Sequence, residues 1–490
     1  MLFTEPTFLF LFLPVLLGLY FIGSSREHGA YGNWLLLIAS VVFYEKGGGG
    51  RCTVLMLGSI AFNYWMAIAV DRARGTPAAS RRLAFAITVN LAVLGVFKYA
   101  NFATANVNAL LIAAHIAPLA VPRVLLPIGI SFFTFHAISY VIDVSRRDAT
   151  AQKSPVHAAL YLLLFPQLIA GPIIRYRDIA DQLAGRSVSL DDFACGVRRF
   201  VIGLAKKVLI ANVVAVPADK MFGMPAAELS TSHAWLGIVC YTLQIYFDFS
   251  GYSDMAIGLG RMFGFRFPEN FRWPYVAASV TDFWRRWHMS LSTWFRDYLY
   301  IPLGGNRVTL GRRYRNLVAV FFLCGLWHGA SWNFVIWGLW HGSFLVIERV
   351  WAIRHSQSTV RSPQSGVLAW PIWPHVYTLL IVMVGWVFFR AETLPEAMTF
   401  LRAMAGLTVA APTTYTVAWY LTPELWLAVA AGAIGSSPWM PALAARLEKT
   451  NAWSVSLVSL VNTAALAALL VLSIMSMAAR TYNPFIYFRF

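Results

Sequence analysis

Residues Asn316–Ile347 read NLVAVFFLCGLWHGASWNFVIWGLWHGSFLVI, a run free of Asp, Glu, Lys and Arg. At about 1.5 Å per residue this stretch would measure roughly 48 Å as one helix, well beyond the ~30 Å hydrocarbon core of a bilayer. A break or re-entrant turn is therefore expected, around Gly325–Ser331. The run also holds one tetrapeptide twice, Leu326-Trp327-His328-Gly329 and Leu339-Trp340-His341-Gly342. An ionisable side chain at membrane depth is a functional hypothesis by default, and neutral imidazole serves there as a general base. The bland alternative for each histidine is a hydrogen bond to a neighbouring helix. Thirteen residues apart, the two would point to different sides of a continuous helix, which argues against a shared metal.

The rest of the chain has the same character. Of its 490 residues 58% are hydrophobic and 12% charged, and mean hydropathy is +0.61. A soluble domain carries roughly 25% charged residues, so this chain lacks the surface to stay in water. Uncharged runs of spanning length recur at Pro6–Ser25, Cys52–Val70, Tyr99–Pro122, Val124–Ile142, Ser154–Ile174, Leu229–Phe247, Ser362–Phe389, Leu425–Ala445 and Thr450–Ala479. Shorter ones cover His28–Tyr44 and Leu83–Phe97. The expected fold is an all-α polytopic membrane protein, a single domain over residues 1–490, with about eleven transmembrane helices plus re-entrant and interfacial ones. Gly47–Gly50 reads as a loop tip. Met1–Pro6 carries Glu5 and no basic residue, so the first apolar run is expected to be retained rather than cleaved as a signal.

Net charge is +17, which in this setting points to cytosolic loops under the positive-inside rule rather than to nucleic acid. The loop Asp71–Arg82, with four Arg against one Asp, is expected to be cytosolic. Cys52, Cys195, Cys240 and Cys324 lie singly, with no metal-ligand spacing, and read as small hydrophobes rather than disulfides or zinc ligands. No metal or bound cofactor is expected.

Basic charge concentrates in Arg261–Arg315, where ten Arg face Glu269, Asp282 and Asp297. Within it Trp284, Trp287, His288, Leu291, Trp294, Phe295 and Tyr298 follow a helical period. That pattern predicts one amphipathic helix, with Arg285, Arg286, Arg296 and Asp297 on its other side. Asp248 and Asp254 follow an apolar run. They suggest a polar cavity mouth, or else a helix cap and an ion pair with Arg261 or Arg266. Gly304-Gly305-Asn306-Arg307 can bend backbone toward phosphates but lacks a P-loop or dinucleotide pattern.

The ordered set Phe283-Trp284-Arg285-Arg286-Trp287-His288-Met289-Ser290-Leu291-Ser292-Thr293-Trp294, Arg296-Asp297-Tyr298-Leu299-Tyr300, Gly304-Gly305-Asn306-Arg307 and Leu326-Trp327-His328-Gly329-Ala330 resembles the membrane-bound O-acyltransferase (MBOAT) family. Within the family it looks like the alginate O-acetylation branch. Leu126–Phe132, Ala170-Gly171-Pro172, Tyr246–Leu259 and the tail Pro484–Phe488 extend the likeness along nearly the whole chain; Ser356–Gln364 and Leu407–Pro441 are its least family-like parts. The resemblance implies a helical ring thinned at its centre, with cytosolic and extracytoplasmic funnels meeting near a reactive histidine. The family's indispensable histidine falls on His328 and its second motif histidine on His288. His341 also matches, without an implied role. Arg285, Asp254 and Asn306 are the candidates for binding the donor or lining its cavity. Arg suits a phosphate-bearing donor, so the implied donor is acetyl-CoA, used as substrate. The implied setting is the bacterial inner membrane, with an SGNH-type acetyltransferase, periplasmic or membrane-anchored, carrying acetyl to an exported polysaccharide such as alginate or cellulose. Rival readings are peptidoglycan O-acetylation, D-alanyl transfer to a cell-wall polymer, and a non-enzymatic polysaccharide or lipid transporter.

Overall fold

The structure is a computed structural model that describes residues 1–23, 29–354, 372–411, 415–448 and 452–479. The tail motif Pro484–Phe488 and the stretch Ser356–Gln364 lie outside the described residues. Among the described residues every regular element is helical, as backbone groups in lipid require, since only helices or closed barrels satisfy them internally. The chain is an all-α multi-pass membrane protein. It divides into two compact units, one of Met1–Phe200 with Tyr252–Pro268, the other of Val201–Gly251 with Glu269–Phe490.

The principal helices are α1 (Ala30–Arg72), α2 (Pro77–Ala113) and α3 (Ile130–Arg146). Next come α4 (Leu190–Phe222) and α5 (Thr231–Met262), then the short α6 (Val280–Trp284) and α7 (Met289–Phe295). The last three are α8 (Leu310–His328), α9 (Trp332–Arg354) and α10 (Ile372–Arg390). By length and composition, five helices among the described residues can cross a membrane: α1, α2, α4, α10 and Ser459–Ala479. Phe8–Ile22 and Pro423–Gly435 are apolar but shorter. This criterion does not reproduce a count of eleven, and the reasons are local. α1 is two helices meeting at Gly49, whose backbone is non-helical (φ 73°, ψ 169°). The interruption expected at Gly47–Gly50 is thus present as a kink rather than a loop, and the two runs beside it count as one element by length. Lys98 does not end a span. It is buried within α2, and its Nζ donates to Ser131 Oγ at 3.3 Å, which joins Leu83–Phe97 to the run that follows. Ser154–Ile174 is divided instead, into Pro155–Leu163 and Phe165–Leu168.

In the first unit, Phe3, Phe8, Phe43 and Phe165 are buried and in mutual ring contact. Phe165 N–H donates to Ser40 Oγ on α1. The Arg186 guanidinium donates to the Phe263 carbonyl and to Asn33 Oδ1.

In the second unit, a π-helical turn at Lys206–Ala211 interrupts α4. It places Lys207 Nζ 2.6 Å from Asp248 Oδ1 on α5, with both side chains at most 4% exposed. Such turns often mark functional positions. The pairing differs from the expected Arg261 or Arg266, which both reach Asp192 instead. The long run Asn316–Ile347 breaks at Gly329–Ser331, inside the expected interval, and α8 and α9 fold back on each other. Gly325 and Gly338 let them touch. A Cβ on Gly325 would fall 2.2 Å from the Phe334 carbonyl oxygen, and one on Gly338 2.2 Å from that of Phe321. Small residues allow this approach between membrane helices.

Candidate active site

The histidines lie on elements held by polar contacts at their ends. Glu348 on α9 accepts from the backbone N–H groups of Val280 and Thr281 at 2.6 and 3.0 Å and from Thr281 Oγ1 at 2.7 Å. Ser279 Oγ accepts from Asp282 N–H. A carboxylate on the first-turn donors is a strong helix start, and it ties α6 to α9. The single amphipathic helix expected over Trp284–Tyr298 is not what forms. α6 ends at Trp284, and the chain turns through Arg285–His288 before α7 begins. The break centres on His288, whose backbone is left-handed (φ 44°, ψ 52°), an uncommon conformation for a residue with a Cβ. The apolar positions nevertheless stay buried: Trp284, Trp287, Leu291, Trp294, Phe295 and Tyr298 all face protein, and so does Asp297, expected on the opposite side.

Asn270 stabilises this turn. Its carbonyl oxygen accepts from Met289 N–H, and its side-chain Oδ1 accepts from Ser290 Oγ at 2.8 Å and Ser290 N–H at 3.3 Å. His288 Nδ1 lies 3.0 Å from the same Oδ1. His288 is fully buried, and its Nε2 meets no hydrogen-bond partner among the described residues.

His328 is the last residue of α8 and 5% exposed. Its ring packs against Trp327, Trp337 and Phe389 at centroid distances of 4.8, 4.9 and 5.2 Å. The His288 ring is 6.5 Å away. His328 lines a small apolar cavity with Ile245 and Phe249 of α5, Trp287, Trp337 of α9, and Trp386 and Phe389 of α10. Its internal space is about 10 Å³, near what one water needs, so an acyl group enters only if these rings move apart. His341 is also buried, but Trp337 stands between it and His328, 5.3 Å from one ring and 4.9 Å from the other. Phe283 and Trp284 cover it further.

Of the remaining candidates, Arg285 is exposed in the turn before His288. Asn306 is exposed in the turn after Tyr300, whose hydroxyl donates to its Oδ1 at 2.9 Å. Asp254 belongs to the first unit, where the Arg199 guanidinium donates to its Oδ1 at 2.8 and 3.0 Å. Cys240 and Cys324 are buried, whereas Cys52 is half-buried and Cys195 exposed. Sequence reasoning missed Asn270, Glu348, Trp337, Trp386 and Phe389. No spacing rule links Asn270 to a histidine eighteen positions on.

A buried pair of imidazoles beside an apolar cavity, set among membrane helices, has the parts for proton and acyl transfer away from water. Residues 129–390 match the model of the membrane-bound O-acyltransferase family. The "Probable alginate O-acetylase AlgI" of Azotobacter vinelandii is 49% identical over 409 residues, 82% of this chain and 78% of that protein. The protein of the same description from Pseudomonas aeruginosa is 48% identical over 82% of this chain and 75% of its own length. The "Peptidoglycan O-acetyltransferase" of Helicobacter pylori is 38% identical over 83% and 80%. The molecule is a polytopic membrane acyltransferase. It belongs to the membrane-bound O-acyltransferase family, and that membership sets aside the reading as a transporter without enzymatic activity.

Proposed function

We propose that this chain is the membrane component of an O-acetylation system in the bacterial inner membrane. It takes acetyl from acetyl-CoA at the cytosolic face and passes it to an SGNH-type acetyltransferase, periplasmic or membrane-anchored, which esterifies an exported polysaccharide; by likeness to the relatives above, that polymer is alginate. His328 is the catalytic residue at the acyl group, as base toward the attacking hydroxyl or as transient acyl acceptor. His288 assists it. The observation that carries this reading is the buried His288–His328 pair, 6.5 Å between ring centroids, with His328 on the cavity wall. A polymer outside the membrane cannot reach a histidine enclosed by Trp327, Trp337 and Phe389, which is why a carrier is required. Every regular element among the described residues is helical, and none of them forms a grooved soluble scaffold for a glycan.

The test is reconstitution of the purified protein in liposomes, with acetyl-CoA supplied at the face bearing the Asp71–Arg82 loop and alginate at the other, with and without the partner. CoA release with ester formation only when the partner is present is the expected result. Robust ester formation without the partner would sink the relay, and no CoA release under any condition would sink the donor assignment. Peptidoglycan replaces alginate in a parallel arm, because the Helicobacter pylori relative is described as acting on that polymer. Carrier-bound D-alanine is the competing donor.

A further inference from the structure

Trp337 stands at the centre of the site and is fully buried. It lines the cavity that His328 also lines and packs edge-on against the His328 ring, at 4.9 Å and 85°. Its indole N–H meets no acceptor among the described residues. A buried donor left unpaired carries a desolvation penalty, and such groups in folded proteins call for an explanation. Trp327 and Trp386 also carry an indole N–H, and that of Trp386 likewise meets no acceptor among the described residues. Trp327, however, is not part of the cavity lining, and Trp386 packs on Trp337 and Phe389. Trp337 is therefore the donor that both lines the cavity and touches the His328 ring.

We infer that the Trp337 indole N–H is the hydrogen-bond donor for the acyl carbonyl oxygen, making Trp337 a second catalytic residue of the reaction proposed above, on which this inference rests. Reacting atoms must approach within about 3–3.5 Å, and a carbonyl oxygen lies about 1.2 Å from its carbon. An acyl carbon presented to His328 thus brings its oxygen among the rings that edge that histidine. In the transfer, the acceptor hydroxyl oxygen bonds to the carbonyl carbon while its proton passes to His328. The carbonyl π pair moves onto oxygen, where the indole N–H stabilises the charge. The pair then returns, the carbon–sulfur bond breaks, and sulfur leaves with the proton from His328 as free thiol. Thioester and alcohol become ester and thiol, with no other reactant. An indole supplies one donor in an apolar enclosure, where such a bond is worth more than in water.

The test uses the full-length protein in detergent or liposomes, with two substitutions. Trp337→Phe removes the donor. Replacement of Trp337 by benzothienylalanine exchanges N–H for sulfur and keeps the ring's shape, so packing is preserved if Phe proves too small. Two ligands are compared: a ketone analogue of acetyl-CoA with CH2 in place of sulfur, and S-ethyl-CoA, which lacks the carbonyl. Both variants should lose about 10-fold in affinity for the ketone, keep that for S-ethyl-CoA, and release CoA from acetyl-CoA about 10²-fold more slowly. Equal changes for the two ligands, or none in the benzothienyl protein, would show that the indole only packs, its N–H facing a neighbouring ring. Failure of the unaltered protein to bind either analogue or to release CoA is a separate result, which overturns the donor assignment and this inference with it.

Discussion

Asn270 holds His288 in one tautomer. Its Oδ1 accepts from the Ser290 backbone N–H, which can only donate. The amide is therefore oriented with oxygen toward the turn, and the His288 Nδ1 that shares this oxygen must carry its proton. Nε2 is then the unprotonated nitrogen, buried and without a partner among the described residues. The prediction is that Asn270→Leu lowers turnover roughly 10-fold, a part of the 10²–10⁴-fold that a general base contributes, with the KM for acetyl-CoA little changed. Asn270→Asp keeps an acceptor for all three donors, His288 Nδ1 and the Ser290 N–H and Oγ, and should recover part of the loss. If Asn270→Leu and His288→Gln both turn over normally, the histidine is a packing residue and the tautomer is irrelevant.

The second prediction separates the two Trp-His-Gly histidines. His328→Ala should abolish acyl transfer in a protein that still enters the membrane folded, a loss of at least about 10²-fold. His341→Ala should retain most of its turnover. Trp337, Phe283 and Trp284 screen that ring from the cavity, so its loss acts on packing and appears as a lower Tm. An inactive His341→Ala beside an active His328→Ala would reverse the assignment.

How far the sequence disclosed this arrangement depends on which forces are local. The break at Gly329–Ser331 was legible because helix length against bilayer thickness is simple geometry. The period of Trp284–Tyr298 marked the buried apolar positions, but Asp297, expected on the opposite side, is buried as well, and the period could not show the break at His288. That left-handed turn is stabilised from Asn270, a contact no periodicity carries. The separation of the runs Leu83–Phe97 and Tyr99–Pro122 fails for the same reason, since the partner of the intervening Lys98, Ser131, lies 33 positions on. Glu348, drawn from α9 to the start of α6, is likewise invisible until the helices pack.

The third prediction concerns Lys207 and Asp248, paired at 2.6 Å with almost no exposure. Removing one partner of a buried pair leaves an uncompensated charge, at a cost of about 3–5 kcal/mol, whereas an apolar pair of similar volume can be neutral or better. Asp248→Leu should therefore lower unfolding stability in detergent by about that amount, and Lys207→Met combined with Asp248→Leu should recover most of it. A double variant as unstable as the single one would show that Asp248 serves something other than Lys207.

The fourth prediction follows from the glycine contact between α8 and α9. The Phe321 carbonyl oxygen occupies the place a Cβ on Gly338 would need, and backbone cannot yield as a side-chain tip can. Overpacking of this kind typically costs about 1–3 kcal/mol, so Gly338→Ala should lower the Tm. It should also lower turnover, because spreading the hairpin moves Trp337 relative to His328. Gly311→Ala on the same α8, where a Cβ meets open space, is the control and should change neither. Equal behaviour of the two variants would refute the close contact.

The last prediction is one of orientation. α1 and α2 are joined by a short turn, and between Asp71 and Arg82 lie Arg72, Arg74 and Arg81, with the Arg82 guanidinium donating back to the Ala69 carbonyl at 2.7 Å. Basic residues in a loop this short and this near two spans set the side on which it stays. It should lie in the cytosol, the side from which the proposed donor comes. In a cysteine-free background that retains activity, Ser80→Cys is exposed at the start of α2. It should resist a membrane-impermeant thiol reagent applied to intact spheroplasts and react once the membrane is opened. Labelling of intact cells would place the loop outside, and with it reverse the direction in which acetyl must travel.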